Sequence, residues 1–362
     1  MGKITRQGAV MRKVAKIGLV IAVLCLCFVF YASCDRREFP APEDLQPFYE
    51  AVFTNDMDTV KAYMKKYKHI ANFEKKDMYG NKSNTVVAAV LSGSMEMLDL
   101  MVKQRNDVNL PAVPDNHTAL HFAMLMKRKD MVEYLLKHKA DPFMVDDFKY
   151  NVFHYIAASY RDVEVAKLFT RYAPKLINQK DHEGYTPLGL LLFTQYAEHK
   201  DNERREASYD LDILEFFLSN GADVSLLFEK PPGVNDSIYF LFLNFIEIKN
   251  NDYLRLLLSS LPVKTPNFSK ESLLYLNLAI ENENMDVIPY LIPHVVDING
   301  TNNFGQTALH RAVFYKSGAG VMRLLIENGA DKTMIDSFGN TAYDMYVANN
   351  AYPDEGILSL LK

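Results

Sequence analysis

Histidine and cysteine are two residue types of this 362-residue chain that could bind a metal ion or act as a base or nucleophile. The chain has nine histidines and three cysteines, and Cys25, Cys27 and Cys34 all fall within its first 34 residues. The remainder therefore has no thiolate for a disulfide, a metal site or catalysis. No HExxH, paired CxxC, GxxxxGKS/T, GxGxxG or GxSxG pattern occurs. We expect no enzyme, with no catalytic or metal-binding residues and no cofactor.

Three of the histidines recur at a nearly constant spacing, which favours a structural role for them. His121 in TALHFA, His154 in NVFHYI and His310 in TALHRA occupy the same place in similar segments, here called the register position. Its other occupants are Gly189, Asn277, Asp344 and, in weaker copies, Tyr49 and Val87. From His121 to Gly189 the steps are 33 and 35 residues, and from Asn277 to Asp344 they are 33 and 34. A fixed period of this length indicates stacked repeats.

Residues 302–331 show which elements one repeat contains. Phe304-Gly305 predicts a tight turn, since only glycine takes a positive φ without steric cost. Thr307 predicts the N-cap of a first helix, and Gly329 predicts the end of a second helix. The apolar positions are Leu309, Ala312 and Val313 in the first helix and Val321, Leu324, Leu325 and Ile326 in the second. One such pair is too small to bury its own apolar face, so copies must stack.

These segments resemble the ankyrin repeat, in which T-P-L-H opens the first helix and G-A-D follows the second. Copies here begin with TALH or TPLG, and GAD occurs at 221–223 and 329–331, with KAD at 139–141. The resemblance implies an all-α ankyrin-repeat solenoid of about nine helix–turn–helix repeats over residues 45–362. Short hairpin turns, here called fingers, would connect the repeats. The resemblance also implies that the register histidines bond neighbouring backbone and tie repeats together.

Two stretches interrupt the regular pattern. Residues 195–210 (QYAEHKDNERREASYD) are a charged insertion in the fifth repeat, for which we expect a solvated loop or a helix extension. Residues 228–300 are the least regular, because Pro231-Pro232-Gly233 breaks the pattern and the following helix pairs lack the turn motif. We expect the array to bend there or to lose a finger. The last repeat lacks a full second helix, and residues 353–361 are interpreted as a C-terminal cap.

The first 44 residues have the composition of a targeting segment. Five basic residues and no acidic one lie within residues 1–34, and residues 17–33 are uncharged and almost wholly apolar. This pattern is typical of a signal peptide, here at 1–33. Residues 31–34 (YASC) resemble the lipobox of bacterial lipoproteins, although Tyr31 stands where leucine is usual. The resemblance implies lipidation of Cys34, followed by a tether over 34–44.

An uncleaved membrane anchor and a cleaved, secreted form are the two alternatives for this segment, and Met11 is an alternative start. The lipoprotein and anchor interpretations both attach the chain to a membrane. We expect a protein of the bacterial cell envelope, anchored by an N-terminal lipid. Its repeat domain would lie on the outer side of the membrane, in the periplasm or outside the cell.

The charge balance limits the class of partner. The net charge is −5, but with the first 34 residues removed 35 basic residues stand against 45 acidic ones. An acidic repeat domain argues against a nucleic-acid backbone as partner. The same balance favours a protein with a basic surface.

A stacked array presents a long surface formed by the fingers and the exposed sides of the first helices, which suits recognition of another protein. We therefore expect a membrane-tethered, monomeric scaffold for protein–protein interaction. Aromatic residues and methionine are enriched at the centres of interfaces. The candidate partner-binding residues are Leu125, Met126, Phe148, Tyr150, Tyr185, Phe193, Phe304, Phe314, Tyr315 and Phe338. The alternative is an envelope hydrolase or ligand-binding protein with its site in residues 228–300.

Overall fold

The computed structural model describes residues 45–66, 75–76, 82–83, 85–104, 106–112, 115–201, 210–229, 237–350 and 353–362. The expected signal peptide, Cys34 and the tether lie outside the described residues. The chain divides into two compact units, Met1–Ala207 and Ser208–Lys362.

The first compact unit is built from pairs of helices. Its α-helices are α1 (Leu45–Phe53), α2 (Met57–Lys66), α3 (Thr85–Leu91), α4 (Met95–Lys103), α5 (Ala119–Leu125), α6 (Lys129–Lys137), α7 (Val152–Tyr155), α8 (Val163–Tyr172) and α9 (Pro187–Asp201). A π-helix continues α7 over Ile156–Tyr160, and a 3₁₀-helix covers Pro174–Asn178. The short strands β1 (Lys75–Lys76) and β2 (Lys82–Ser83) pair antiparallel. The first helices α1, α3, α5, α7 and α9 pack side by side in chain order.

The second compact unit has the same construction. Its α-helices are α10 (Leu211–Ser219), α11 (Ser237–Glu247), α12 (Asn251–Ser260), α13 (Pro266–Glu281), α14 (Ile288–Leu291), α15 (Ala308–Phe314), α16 (Gly318–Glu327), α17 (Ala342–Asn349) and α18 (Glu355–Leu361). Two 3₁₀-helices cover Val224–Phe228 and Ile292–His294. The first helices α11, α13, α15 and α17 pack side by side in chain order. The all-α repeat fold expected from the sequence is therefore confirmed.

The apolar positions of the sequence pattern form the core of each repeat. In α15, Leu309, Ala312 and Val313 are all buried, as expected. In α16 the buried face is Val321, Met322 and Leu325, whereas Leu324 and Ile326 are only half-buried. Leu324 and Ile326 are less buried because residues one position to either side of Leu325 point about 100° away from it.

Among the described first helices, α5, α7, α15 and α17 begin with the same pair of capping interactions; the cap is Asn151 in α7 and a threonine in the other three. The hydroxyls of Thr118, Thr307 and Thr341 accept a hydrogen bond from the backbone N–H three residues later, and each threonine N–H donates to the side chain of that later residue. The later residue is the register residue itself, His121, His310 or Asp344. Such reciprocal capping satisfies two backbone donors that a helix start leaves unpaired. The N-cap predicted at Thr307 is confirmed.

The irregular segment 228–300 differs from the other repeats in how its first helix begins. α13 starts at Pro266, whereas the register position of this repeat is Asn277. Proline suits the first turn of a helix because its fixed φ is already helical. Helix thus takes the place of the finger, which is one of the two outcomes expected here. Around α13, the rings of Phe228, Phe242 and Phe268 pack with centroids 5.0 to 5.6 Å apart.

The charged insertion begins as a helix extension. α9 runs from Pro187 to Asp201, whereas the first helices α5, α15 and α17 end after seven or eight residues. Gln195 and Ala197 in the extension are buried. The expected helix extension is thus observed up to residue 201, and residues 202–209 lie outside the described residues.

The π-helix has a simple origin in residue count. After several first helices the turn contains a residue with positive φ six residues after the register position, such as Lys127, Glu283 or Lys316. In the fourth repeat this residue is Arg161 (φ 51°), seven residues after His154. One extra residue therefore has to fit between the same two anchors. A π-helix accommodates it, because its hydrogen bonds span one more residue than those of an α-helix.

Two finger glycines give a matched test of backbone strain. Gly305 (φ 67°) has the positive φ expected from the sequence, and Gly339 (φ 82°), at the same place in the next finger, has one too. A Cβ at Gly305 would lie 2.9 Å from the backbone nitrogen of Ser337, whereas a Cβ at Gly339 would meet nothing within 4 Å. We expect Gly305→Ala to destabilise by about 2–3 kcal/mol and Gly339→Ala by about 1 kcal/mol. Equal losses in urea denaturation would contradict this ranking.

Candidate partner-binding surface

The fingers are held in shape by one side chain each. Asp146 Oδ1 accepts hydrogen bonds from the backbone N–H groups of Phe148 (2.9 Å) and Tyr150 (2.8 Å). The corresponding oxygens of Asp181, Asn302 and Asp336 accept the same pair of bonds in their own fingers. Asp and Asn favour such turns because their short side chains reach the backbone two residues further on. Each turn thus fixes the residue at its tip.

Successive fingers are also bonded to each other. The N–H of His182 donates to the carbonyl of Phe148, and the N–H of Ser337 donates to the carbonyl of Phe304, both at 2.9 Å. The tip phenylalanines are therefore presented by a bonded ladder of turns. Phe148, Phe304 and Phe338 are 45%, 59% and 74% exposed. These three candidate residues lie where the sequence placed them.

Tyr150 and Tyr185 occupy a different place from the tips. Both are half-buried at the ends of their fingers. The ring of Tyr150 stacks on the ring of His154 with centroids 5.2 Å apart, and Tyr185 stacks on Phe193 at 5.7 Å. Their rings thus line the base of the fingers and offer one edge to solvent.

The register histidines tie neighbouring repeats together. His121 Nδ1 accepts from the N–H of Thr118, so Nε2 carries the proton and donates to the carbonyl of Met144 at 3.2 Å. His154 and His310 make the corresponding bonds to the carbonyls of Tyr185 and Asn340, both at 3.1 Å. Burial lowers the pKa of His121 to about 3 and that of His154 to about 4, so both rings are neutral at pH 7. The structural role inferred for these histidines is confirmed.

The first helices place the other candidates on one side of each compact unit. In the first compact unit, Met126 is 38% exposed, while Leu125 and Phe193 are half-buried. In the second, Phe314 is 56% exposed and Tyr315 is half-buried, with ring centroids 5.0 Å apart in an edge-to-face arrangement. Leu125, Met126, Phe314 and Tyr315 lie at the C-terminal ends of first helices or just after them, whereas Phe193 lies in the middle of the longer helix α9.

A charged pair contacts Tyr315. Arg311 Nη2 contacts Glu281 Oε1, and the hydroxyl of Tyr315 donates to the same carboxylate oxygen at 3.4 Å. The Arg311 guanidinium also lies 5.7 Å from the Tyr315 ring centroid. Burial lowers the pKa of Arg311, which remains protonated at neutral pH. The arrangement fixes Tyr315 and leaves Glu281 partly open to solvent.

A buried polar cluster supports the finger that presents Phe148. Asp146 Oδ2 accepts from the Tyr155 hydroxyl at 2.6 Å and lies 3.7 Å from His117 Nε2. All three side chains are buried, and burial raises the pKa of Asp146. One carboxylate therefore links the turn of a finger to the first helix behind it. The sequence pattern gave no signal for this cluster, because His117 and Tyr155 belong to different repeats.

Asp181 accepts the same two turn hydrogen bonds in its finger as Asp146 does in its own, but it lacks counterparts of His117 and Tyr155. The stability of the protein should therefore depend on the pH at which Asp181 ionises. Burial raises the pKa of Asp181 to about 6, and its Oδ2 has no hydrogen-bond partner. A carboxyl whose folded pKa lies above its unfolded value of 3.8 makes the protein less stable as pH rises from about 4 to above 6.

Asp181→Asn removes this titration, and Asn302 shows that asparagine forms the same turn. At pH 8 we expect the substitution to stabilise by about 1–3 kcal/mol, and the difference should vanish near pH 4. Denaturant melts of both proteins at the two pH values measure this. A gain that does not depend on pH would contradict the assignment.

Some surface residues were absent from the candidates drawn from the sequence. Leu91 and Ala158 lie four residues after the register position, as Leu125, Phe193 and Phe314 do, and both are half-buried. The exposed tip neighbours Asp147 and Glu183 were not selected either. The register position itself could have located Leu91 and Ala158, because equivalent positions on stacked helices share one face.

The described residues between 228 and 300 contain packed helices around the aromatic cluster. His294, whose Nε2 donates to the carbonyl of Leu258 at 3.3 Å, lies edge-on to Phe268 within it. In the part of the chain that the structure describes, no group of three or more His, Cys, Asp or Glu residues is placed to hold a metal ion. Within the same described ranges, no helix is long and apolar enough to span a membrane.

Comparison with known proteins assigns the repeats. A family model described as ankyrin repeats, in three copies, matches residues 48–146 and 242–336, which together make up more than half of the chain. The ankyrin repeat protein FPV031 of fowlpox virus (strain NVSL) is 34% identical over 90 residues, covering 24% of this chain and 26% of that protein. The match thus spans about a quarter of this relative. From the family match, the capped first helices and the bonded fingers, we conclude that the chain belongs to the ankyrin repeat family.

Proposed function

We propose that the chain is a scaffold that binds another protein through its fingers and the exposed sides of its first helices. Ankyrin repeats generally mediate binding to other proteins. The observation that supports this use most directly is the exposure of Phe304, Phe314 and Phe338, each more than half open to solvent on two adjacent repeats. Exposed aromatic side chains at such density indicate an interaction site. The proposed role involves no catalytic step.

The partner's surface is proposed to be basic around its apolar contact. The chain after residue 34 has an excess of acidic residues, and Glu281 offers a partly exposed carboxylate bonded to Tyr315, whose ring lies against that of Phe314. A cation on the partner could contact this carboxylate and the face of Phe314 together. Binding should then weaken as salt is raised.

We further propose that the scaffold is tethered to a membrane of the bacterial cell envelope, with its repeats on the outer side. The support comes from the sequence of residues 1–34 alone: a basic start, an uncharged apolar stretch and Cys34. A lipid on Cys34 would hold the chain at the surface, and residues 34–44 would separate it from the repeats.

The tether is tested by metabolic labelling with a fatty-acid analogue. The wild-type protein should incorporate the label and fractionate with membranes, and Cys34→Ala should lose the label entirely. Cys27→Ala is the matched control, because large residues precede Cys27 and it should keep the label. Equal labelling of the Cys34 variant would overturn the lipid anchor.

The scaffold itself is tested by site-specific photo-crosslinking in cells that express the full chain. A crosslinking amino acid is placed at Phe304 or Phe314 and, as a control, at the exposed Glu327 on the second helix α16. We expect the first two positions to capture the same protein, and Glu327 not to capture it. Capture from Glu327 alone would contradict the proposed surface.

A further inference from the structure

The last finger of the chain, residues 336–340, has a free hydrogen-bonding edge. In three earlier fingers the carbonyl at the tip accepts a bond from the backbone N–H of the next finger; the pairs are Asp115 with Asp147, Phe148 with His182 and Phe304 with Ser337. Phe338 holds the same place in the last finger, and within the described residues its carbonyl accepts no bond. Two apolar side chains are open to solvent here, Phe338 at 74% and Ile335 at 58%. An unpaired backbone edge of this kind is a template for another chain.

The register position of the last repeat adds a second acceptor. In earlier repeats His154 and His310 are buried, and each Nε2 donates to a carbonyl of the next finger. Asp344 holds this position in the last repeat, where no finger follows, and it is exposed. Its Oδ2 accepts from the N–H and the hydroxyl of Thr341, at 3.0 and 2.6 Å, and its Oδ1 accepts no bond within the described part of the chain. A carboxylate, unlike the imidazole it replaces, has no proton to donate.

The Phe338 carbonyl and Asp344 both face the place that a further finger would occupy. One step earlier, the last finger reaches both equivalent positions: its Ser337 N–H bonds to the tip carbonyl, and its Asn340 carbonyl accepts from His310. A further finger would therefore bring a carbonyl against the Asp344 carboxylate, and two acceptors cannot share a hydrogen bond. The edge thus suits a segment that presents donors at both positions.

The charge of this region favours a cation as the donor at Asp344. Residues 208–362 contain 19 acidic and only 10 basic residues. The hydrogen bonds from Thr341 lower the pKa of Asp344, so the group is a carboxylate at pH 7. Lys332 donates to a backbone carbonyl, and Lys362 lies over an aromatic ring. In the ranges that the structure describes, neither lysine is paired with Asp344.

We propose that this end of the array, here called the open end and formed by Ile335, Phe338 and Asp344, binds an extended, arginine-bearing segment of a partner protein. The inference rests on the proposed scaffold function and adds the chemistry of the partner at one place. A backbone N–H of the segment donates to the Phe338 carbonyl, and the guanidinium donates to Asp344 Oδ1. Apolar residues beside the arginine cover Ile335 and Phe338. Arginine fits better than lysine because its planar group also stacks on an aromatic ring.

The probe is the peptide acetyl-Gly-Leu-Arg-Leu-Gly-amide, titrated to about 10 mM into the purified full chain labelled at its isoleucine methyl groups. NMR follows the methyl signal of Ile335, with the other isoleucines as internal controls. We expect a saturable shift of Ile335 with a Kd of about 1–10 mM, since one charge-assisted bond and a small apolar contact form. Citrulline in place of arginine removes the charge and should weaken binding at least about threefold. No shift at Ile335, or equal affinities for both peptides, would overturn the inference.

Asp344→His gives the open end the register residue of an earlier repeat and allows a crossed test. His310 caps its own helix as Asp344 does, so the helix start should be kept. The arginine peptide should bind this variant at least about threefold more weakly than wild type. A disulfide-closed peptide with the finger sequence Asn-Asn-Phe-Gly-Gln-Thr should instead prefer the variant, because imidazole can donate to its carbonyl. The same preference from both peptides would contradict the proposed chemistry.

Glu327→Gln is the matched control for charge. It removes an acidic group of the same compact unit on the second helix α16, where Glu327 is exposed, and should leave the affinity of both peptides unchanged. A loss of arginine-peptide binding equal to that of Asp344→His would show attraction to the overall charge and overturn the assignment to the open end.

A second copy of the chain is the other occupant to test. Dimers of the full chain in sedimentation velocity that dissociate in Ile335→Lys would overturn the assignment to a partner protein. Failure of the arginine peptide while crosslinkers at Phe304 or Phe314 still capture their partner would remove this inference and leave the proposed scaffold function in place. Loss of that capture would instead count against the scaffold.

Discussion

An aspartate in place of Ala312 is expected to unfold the last repeats of the chain. Ala312 is fully buried in α15, which packs between α13 and α17. A carboxylate there would lose its hydration without gaining a partner, at a cost of about 3–5 kcal/mol. In a repeat array each repeat depends on its neighbours, so the loss should concentrate in the repeats formed by α15–α18.

Hydrogen exchange followed by mass spectrometry locates the effect of Ala312→Asp. Amides of α15–α18 should exchange rapidly, while those of α3 to α8 keep their wild-type protection. Ala348→Asp is the matched control, because Ala348 lies on the first helix α17 but is exposed. A uniform loss of protection from α1 to α18 would contradict the nearest-neighbour description of stability.

The double substitution Phe314→Ala with Tyr315→Ala is expected to weaken partner binding by about 2–4 kcal/mol, which is at least about 30-fold in Kd. Phe314 is 56% exposed in the free protein, so a partner that buries its ring gains the free energy of removing apolar surface from water. Tyr315 holds Glu281 in place through its hydroxyl. The affinity of the crosslinked partner, measured by calorimetry, gives the loss.

Two controls separate lost contacts from lost structure. Tyr315→Phe removes only the bond to Glu281 and should cost a small part of the total. A variant with Ser in place of Glu198, His199 and Lys200 changes the insertion at residues 195–210 and should bind like wild type. Loss of the partner in the insertion variant but not in the double variant would show that the first-helix surface is the wrong one.

Local chemistry explains which features could be predicted from the sequence. Thr307 and His310 cap the start of one helix by bonding its unpaired backbone groups. Gly305 takes the positive φ that the turn of the finger requires. Because the same residue pattern recurs at a fixed period, the same turn and helix start are expected in each repeat. For this reason the register histidines could be assigned a structural role before their bonds were seen.

Features that depend on contacts between repeats could not be predicted from the sequence pattern. The cluster of His117, Asp146 and Tyr155 combines a finger end, the next finger and the helix after it, and no local preference selects these residues together. The π-helix over Ile156–Tyr160 follows from one extra residue between His154 and Arg161, which becomes visible only when the left-handed turn residues are known. Similarly, Tyr150 and Tyr185 resemble tip residues in sequence but pack at the base of their fingers.

The central claim is that the partner contacts the fingers and first helices, and hydrogen exchange of the complex tests it most directly. Amides around the tips Phe148, Phe304 and Phe338, at the C-terminal ends of α5 and α15 and around Phe193 in α9 should gain protection when the partner binds. Amides of the second helices α6, α8 and α16 should be unchanged. Protection confined to those second helices, with unchanged exchange in the fingers and first helices, would contradict the account.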